Sequence, residues 1–552
     1  SICANHTGMA KKLSLKDEIS RVLAYTPSER ARGIIDSPYT KQILDQLPPQ
    51  EAYIVIKESW GMDSQILLQY VSPESVCRFI DLDCWEQDSF SVDSLMEWLM
   101  ELYNASFETL IEAFETIDLE ILVLLFQNYI EVVHVRPTDE HIPDLIDEGF
   151  ESLDNTYFYR IISDDDRSHF VKEMLSILFT HDQDLYSSIL EAVMYELKTT
   201  SEETSYERRS LRLMELGFPS PDEALEVYRH IRPEKLLNQG ILKEKTPVIT
   251  KHLHMLPAVY LEQFSQGGSL LVRALNKTPE ETRERFMYEM IYLANKIVMA
   301  DFRPLNDREG IRLSMEKASS LATLGLGVVM REKRLPAEAV LNSMNAETLF
   351  SLGYNMVYVQ QRRLKLLLND IESSMIPEHM RELADGLLKK RPQYKALQFS
   401  SLEELDEVSL ALDRLEAMAA IVSHLNWEAR IPDLSSTNTG AGLDMEAIIL
   451  TSLALNIGGW ETGFRPISRG ELLDFLSRAT RLKGGLRHAH AAFRGELALH
   501  LTSMVGSLDP DTAEDIAAML TTRLEEETGG LKDLKQMDPR FITCFCVRLP
   551  ES

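Results

Sequence analysis

Between Arg78 and Arg136 the chain carries no lysine and no arginine. Cysteine is scarce as well. The five, Cys3, Cys77, Cys84, Cys544 and Cys546, form an odd set with no CxxC pair, which argues against a disulfide framework or zinc knuckle and fits a reducing compartment. No stretch approaches the roughly eighteen uninterrupted apolar residues that a bilayer-crossing helix needs. The nearest, Ile121 to Ile130, is broken by Gln127 and Asn128. Phosphate-loop spacings, dinucleotide fingerprints and nucleophile elbows are missing too, so the sequence names no reaction and no cofactor. The first eight residues lack the charged start and apolar run of a secretory signal, and Met9-Ala10-Lys11-Lys12 reads as a natural start. These absences predict a soluble cytoplasmic protein with no membrane insertion.

What is present points to helices. At 552 residues the chain is too long for one core, and its 44% hydrophobic and 26% charged residues are those of a globular protein. The net charge of -30 would repel nucleic acid and anionic lipid at long range, so no nucleic-acid partner is expected. Thirteen acids from Asp81 to Glu131 fall in the stretch without lysine or arginine, interleaved with apolar residues at helical spacing. Leu95, Trp98, Leu99 and Leu102 form one stripe; Phe107, Leu110, Ile111 and Phe114 form the next, opposite Glu108, Glu112 and Glu115. The segment from Asp118 to Ile130 is apolar nearly all round, as a helix buried between others would be.

Helix starts recur as Ser/Thr-Pro-x-Glu, at Thr26-Pro27, Ser220-Pro221 and Thr278-Pro279, with shorter versions at Ser72-Pro73 and Asp509-Pro510. The hydroxyl or carboxylate accepts from a first-turn amide, proline needs no amide partner, and glutamate reaches back to complete a capping box. Ser94 with Glu97 and Ser401 with Glu404 repeat the box without proline. Leu47-Pro48-Pro49-Gln50-Glu51-Ala52 and Val71-Ser72-Pro73-Glu74-Ser75-Val76 suggest an internal repeat, with later echoes at Leu335-Pro336 and Leu508-Asp509-Pro510. The expected fold is all-α: stacked helical hairpins, superhelical or solenoid-like, with additional helical bundle domains. No sustained period-two alternation is found, and Phe541 to Val547 is the one short strand expected.

On the first of those motifs, the run from about Ile43 to Val133 resembles the helical superhelix of MgtE-type magnesium transporter N-domains and of flagellar motor switch proteins. The motif specifies helices rather than chemistry, and no transmembrane region follows, so magnesium sensing is carried to no residue. The remainder resembles an uncharacterised bacterial all-helical family of unknown function. Glu202-Glu203, Tyr206-Glu207-Arg208-Arg209, Arg212-Leu213, Glu215-Leu216-Gly217-Phe218-Pro219 and Asp301-Phe302-Arg303-Pro304 carry that likeness. It implies no activity.

Proline, glycine and polarity divide the chain into an N-terminal acidic helical-repeat domain (13–135), a central helical part (150–430) and a C-terminal helical domain (443–552), with linkers at Arg136 to Gly149 and Ile431 to Gly442. Gln266-Gly267-Gly268-Ser269 marks a further break.

Candidate sites are few. From Phe475 to Gly495 there is no acid, and Arg481, Lys483 and Arg487 surround Gly484-Gly485, where open backbone amides before a helix would suit an anion. Glu203, Glu207, Arg208 and Arg212 place carboxylates and guanidiniums one turn apart on one helix, where they could converge in a cleft or simply pair on its surface. Asp164-Asp165-Asp166 and Asp144, Asp147 and Glu148 lack the ligand spacing of a calcium loop. His252 with His254, and His488 with His490, are two apart, which on a helix turns the rings to nearly opposite sides. No metal ligands are therefore assigned. The expected function is that of a helical scaffold or regulatory protein that binds a protein partner through an acidic face and a C-terminal basic segment. The alternative is a metal-dependent enzyme or metal-responsive regulator with a carboxylate-rich site, drawn from Glu203, Glu207 and Asp301 with Arg303.

Overall fold

The computed structural model describes residues 15–23, 25, 27–136, 142–162, 167–238, 268–428, 436–438, 443–506 and 508–549. Asp164 to Asp166, His252, His254 and most of the 431–442 linker lie outside them. The protein is predominantly helical. It divides into two compact units: Ser1–His230, Asn238–Ala322 and Lys333–Ser351 form the first, and Ile231–Leu237, Thr323–Glu332 and Leu352–Ser552 the second.

In the first unit, short helices follow one another: α1 (Leu15–Leu23), α2 (Pro27–Ile35), α3 (Thr40–Gln46), α4 (Pro49–Glu58), α5 (Met62–Leu68), α6 (Pro73–Asp83), α7 (Val92–Ala105), α8 (Phe107–Thr116) and α9 (Leu119–Tyr129). From α4 onward each packs on the helix two places further along, α4 on α6, α5 on α7, α6 on α8 and α7 on α9, which is how stacked hairpins share a core. The two repeat copies begin α4 and α6 with proline at the first helical position, and Ser72 Oγ accepts from the Ser75 amide at 3.2 Å.

The apolar stripe of α7 is fully buried at Leu95, Trp98, Leu99 and Leu102. That of α8 is buried at Leu110 and Phe114, whereas Phe107 in its first turn is 38% exposed, edge-on to His181. Two capping details differ from expectation. The cap of α7 is Ser91, which receives the Ser94 amide at 3.3 Å, so Ser94 lies inside the helix. Thr278 caps nothing; its hydroxyl donates back to the Leu275 carbonyl and the helix Glu280–Ala300 starts after Pro279.

The α9 helix is sheathed by α12 (Gln183–Tyr195) and α13 (Lys198–Glu215), which follow α10 (Ile142–Asp147) and α11 (Ser168–His181). It stops where Ile130-Glu131-Val132-Val133 begins, a run in which three of four residues are β-branched and which suits a strand better than a helix. Among the described residues, three small antiparallel sheets depart from the strand expectation. These are β1 (Trp85–Glu86) with β2 (Ser89–Phe90); β3 (Ile130–His134) with β5 (Tyr157–Ile161), flanked by β4 (Glu151–Ser152); and β6 (Thr480–Lys483) with β7 (Leu486–Ala489). Strands of two to five residues are too short to leave a visible alternation. Phe541–Val547 is not one of them: Phe541 ends a 3-10 turn and is 79% exposed, and only Val547 and Arg548 form isolated bridges.

The second unit is built around the helix Met445–Gly458, buried continuously from Met445 to Leu455 and packed against Leu402–Leu425, Arg469–Ala479 and Phe493–Met504. The helix Pro510–Thr528 lies along Phe493–Met504 and begins at Asp509, whose carboxylate receives two first-turn amides. Ser401 with Glu404 forms a complete capping box, and so does Ser468 with Glu471. Cys77, Cys84, Cys544 and Cys546 are buried and in no disulfide.

Candidate functional site

A cavity of about 510 Å³ opens in the first unit between the β1–β2 hairpin, α13 and the loop after the helix Glu280–Ala300. That loop, Asp301-Phe302-Arg303-Pro304-Leu305-Asn306, is strained. Phe302 has φ +53° and is 53% exposed, and the Phe302 and Arg303 amides bond to the Met299 and Val298 carbonyls at 3.1 and 3.0 Å. This is a helix stop that normally uses glycine in the left-handed position, and a phenylalanine there costs roughly 1–2 kcal/mol. The loop is held at both ends. Asp301 accepts from Tyr228 at 3.0 Å and from Lys317 at 2.8 Å, and Asn306 donates to Asp83 at 3.0 Å.

Asp83, the last residue of α6, is a hub. It also receives Tyr53 Oη, Lys57 Nζ and Trp98 Nε1, each at 2.8 Å. Burial alone would push its carboxyl up; the bonds from Lys57, Asn306 and Tyr53 outweigh that and hold it below the ordinary aspartate value. Two residues earlier, Asp81 is fully buried and takes a two-pronged bond from Arg212, at 2.6 and 2.8 Å. Burial pushes the Arg212 guanidinium down, but Asp81 and Asp118 prevail and hold it above the ordinary value.

Two donors on residues that line the cavity have no partner. Trp85 is only 3% exposed, and its indole N–H has no hydrogen-bond partner. The same holds for Nε of the half-buried Arg303. Arg209 is 5% exposed and bonds to the carbonyls of Asp81 at 2.8 Å and Gln87 at 3.4 Å, while its guanidinium carbon lies 5.1 Å from the Trp85 ring. Burial pushes Arg209 down to about 10, which still leaves it charged at neutral pH. Tyr206 and Phe302 line the rest, with the exposed acids Glu86 and Asp88 alongside. Among the described residues that line it there is no histidine, cysteine or serine. An unpaired buried donor costs roughly 1–3 kcal/mol, so this arrangement is suited to receiving acceptor oxygens that carry negative charge.

The sequence-derived sites fare unevenly. Arg208 and Arg212 turn toward the acids of α6 and α9, Arg208 pairing with Glu120 and lying 3.7 Å from Asp118, while Glu203 and Glu207 point to solvent and are not brought together with them. Asp301 anchors the loop, and Arg303 lines the cavity. Gly484 and Gly485 precede no helix; they are the two-residue turn of the β6–β7 hairpin, with φ +60° and +87°. Arg481 and Lys483 are exposed on its first strand, while Arg487 is buried and bonds to Thr480 Oγ1 and the Leu531 carbonyl at 3.2 and 3.1 Å. Among the described residues no group of three or more His, Cys, Asp or Glu is arranged to hold a metal ion. The sequence reading missed Trp85, Tyr206 and Asn306 as site residues. Asp81-x-Asp83-Cys84-Trp85, a buried acid pair directly before an aromatic, is the signal that could have found the first.

Fold and cavity together define a predominantly helical protein with a donor-rich pocket. The chain belongs to a family of unknown function, DUF6178, which it matches over residues 8–548. No curated protein and no solved structure matches it, MgtE-type transporters and flagellar switch proteins included. No helix among the described residues is long and apolar enough to cross a membrane.

Proposed function

We propose that the protein binds a small organic anion with a flat apolar body in the cavity of the first unit. The observation that carries this reading is the pair of buried, unpaired donors, Trp85 Nε1 and Arg303 Nε, beside the nearly buried Arg209. A cavity of about 510 Å³ is of ligand size, and the strained, exposed Phe302 is the kind of backbone outlier that accompanies ligand clamps. A carboxylate or phosphate head would meet the guanidiniums, and an aromatic body would lie against Tyr206 and Phe302.

Benzoate and phenyl phosphate, titrated calorimetrically with neutral benzamide as control, test the idea. At least one anion binds and benzamide does not, and Arg303→Gln weakens the anion roughly ten- to hundredfold, the worth of one charge-assisted bond. Equal binding of benzamide, or an unchanged affinity in Arg303→Gln, would sink it.

One observation favours a second reading, that of a protein-binding regulatory scaffold. The β6–β7 hairpin exposes Leu482 and Leu486 at 52% and 53%, beside Arg481 and Lys483, an apolar tip with a basic flank. Such a tip suits an acidic protein partner, with charge steering the encounter and leucines holding the complex. With a partner in hand, Arg481→Glu with Lys483→Glu slows association at least tenfold at 50 mM salt and by much less at 300 mM. Association indifferent to both changes rules the hairpin out.

A further inference from the structure

The charged side chains that line the cavity of the first unit are two guanidiniums, Arg209 and Arg303, and two carboxylates, Glu86 and Asp88, so the lining as a whole is formally neutral. Among the described residues neither carboxylate is in an ion pair or a hydrogen bond. The turn that carries them is nevertheless held. β1 and β2 are joined through Gln87, at φ +60°, and Asp88; Arg209 donates to the Gln87 carbonyl at 3.4 Å, and the Phe90 amide donates to Glu202 at 2.8 Å. One helix, α13, thus supplies Arg209 and anchors the hairpin that presents the acids.

Two exposed acids alone would be a solvated rim. These share a cavity with an open buried donor: Trp85, which precedes Glu86 in the chain, is 3% exposed and its indole N–H has no partner. A simple anion drawn to the donors also comes beside two uncompensated carboxylates, and like charge opposes it. A ligand that carries a cation as well as an anion removes that conflict. Its two charges must lie close together, because the Arg209 guanidinium reaches the carbonyl of the residue between the two acids. An α-amino acid has its carboxylate and ammonium one carbon apart. We propose that the ligand of this cavity is an aromatic α-amino acid, with its carboxylate at Trp85 Nε1, Arg209 and Arg303, its ammonium at Glu86 and Asp88, and its ring against Tyr206 and Phe302. This rests on the anion-binding reading above and names the class of ligand.

The test titrates three compounds calorimetrically into the full chain at pH 7.5: L-phenylalanine, hydrocinnamate, which lacks the ammonium, and phenethylamine, which lacks the carboxylate. L-Phenylalanine binds at about one per chain, and roughly tenfold or more tighter than either partial ligand, the worth of one charge-assisted bond. The double variant Glu86→Gln with Asp88→Asn, which removes no hydrogen bond or ion pair of the fold, weakens phenylalanine by about the same factor and leaves hydrocinnamate as tight as before or tighter; retained hydrocinnamate binding also shows that the variant has folded. If either partial ligand binds the parent as tightly as phenylalanine, or phenylalanine is indifferent to the double variant, the amino-acid inference is overturned, while benzoate, phenyl phosphate and benzamide decide the anion reading separately. If no carboxylate or phosphate among these compounds binds, both are overturned.

Discussion

At the scale of single residues, the strongest electrostatic effects sit where a carboxylate gathers several donors. Glu471 closes the capping box with Ser468 and takes Arg465 at 2.6 and 3.0 Å, and the Arg465 bond, with the Ser468 amide and hydroxyl, pulls its pKa from 4.5 to about 2 against a smaller burial effect. A carboxyl depressed on folding stabilises the fold above its unfolded value and ceases to do so as pH falls through the folded one. The contribution is therefore complete above pH 4.5 and lost towards pH 2. The side chain is 21% exposed, so solvent screening reduces it to about 1 kcal/mol. Glu471→Gln should lower the unfolding free energy read from urea titration at pH 7 by that amount, with the gap to the parent closing between pH 4.5 and 2; a gap that stays constant with pH would refute the assignment. Ser468-x-x-Glu471 was as legible in sequence as Ser401-x-x-Glu404, because a capping box is written within four residues. The open hydrogen-bond positions of Trp85 and Arg303 were not legible, because whether a donor finds a partner depends on segments far along the chain.

Among elements, helices were readable and hairpins were not. The apolar period of α7 predicted the burial of Leu95, Trp98, Leu99 and Leu102, since one face of an isolated helix already decides what it can bury, whereas the burial of Met96, Glu101 and Ala105 beside them came from tertiary packing. In the β6–β7 hairpin, Gly484-Gly485 between Lys483 and Leu486 has positive φ at both positions, the two-residue turn that follows strand twist. The same glycine pair had suggested an anion site before a helix; four-residue strands gave too little alternation to say otherwise. Two substitutions with opposite signs check the backbone reading. Gly485→Ala, at φ +87° with open space around the added carbon, should destabilise the second unit by about 1 kcal/mol through backbone strain alone. Gly495→Ala, in the helix Phe493–Met504 and equally unobstructed, should stabilise it by about 0.5–1 kcal/mol. Urea unfolding of the two variants reads the signs directly; the same sign in both contradicts the turn geometry.

Across the molecule, the cation-free stretch proves to be less one-sided than its composition. Eight of its thirteen acids are exposed, among them Glu97, Glu108, Glu112 and Glu115, and two of the eight, Asp93 and Glu131, pair with Arg167 and Arg160. Asp81, Asp83 and Glu101 are buried instead, and Asp118 and Glu120 half-buried; Lys57 of α4 meets Asp83, and Arg208 and Arg212 of α13 meet Asp81, Asp118 and Glu120, whereas Glu101 accepts from the neutral Gly61 amide, Ser64 and Gln65. Segregation along the chain thus becomes partial neutralisation in space. A buried acid left without its arginine would cost several kcal/mol, which is why helices so far apart in sequence carry matching charges.

The sequence by itself determined the helical class, the helix starts at Ser72, Ser220, Ser401 and Asp509 and most of the apolar stripes of α7 and α8, because caps and amphipathic faces are set by residues within a turn or two of one another. Tertiary structure alone decided which charges meet and where donors stay open. Arg212 reaches Asp81 across 131 residues, and Asn306 reaches Asp83 across 223. Hydrogen bonds and ion pairs act over a few ångströms of space, whatever the distance along the chain, so the cavity at Trp85, Arg209 and Arg303 exists only once those segments are folded together.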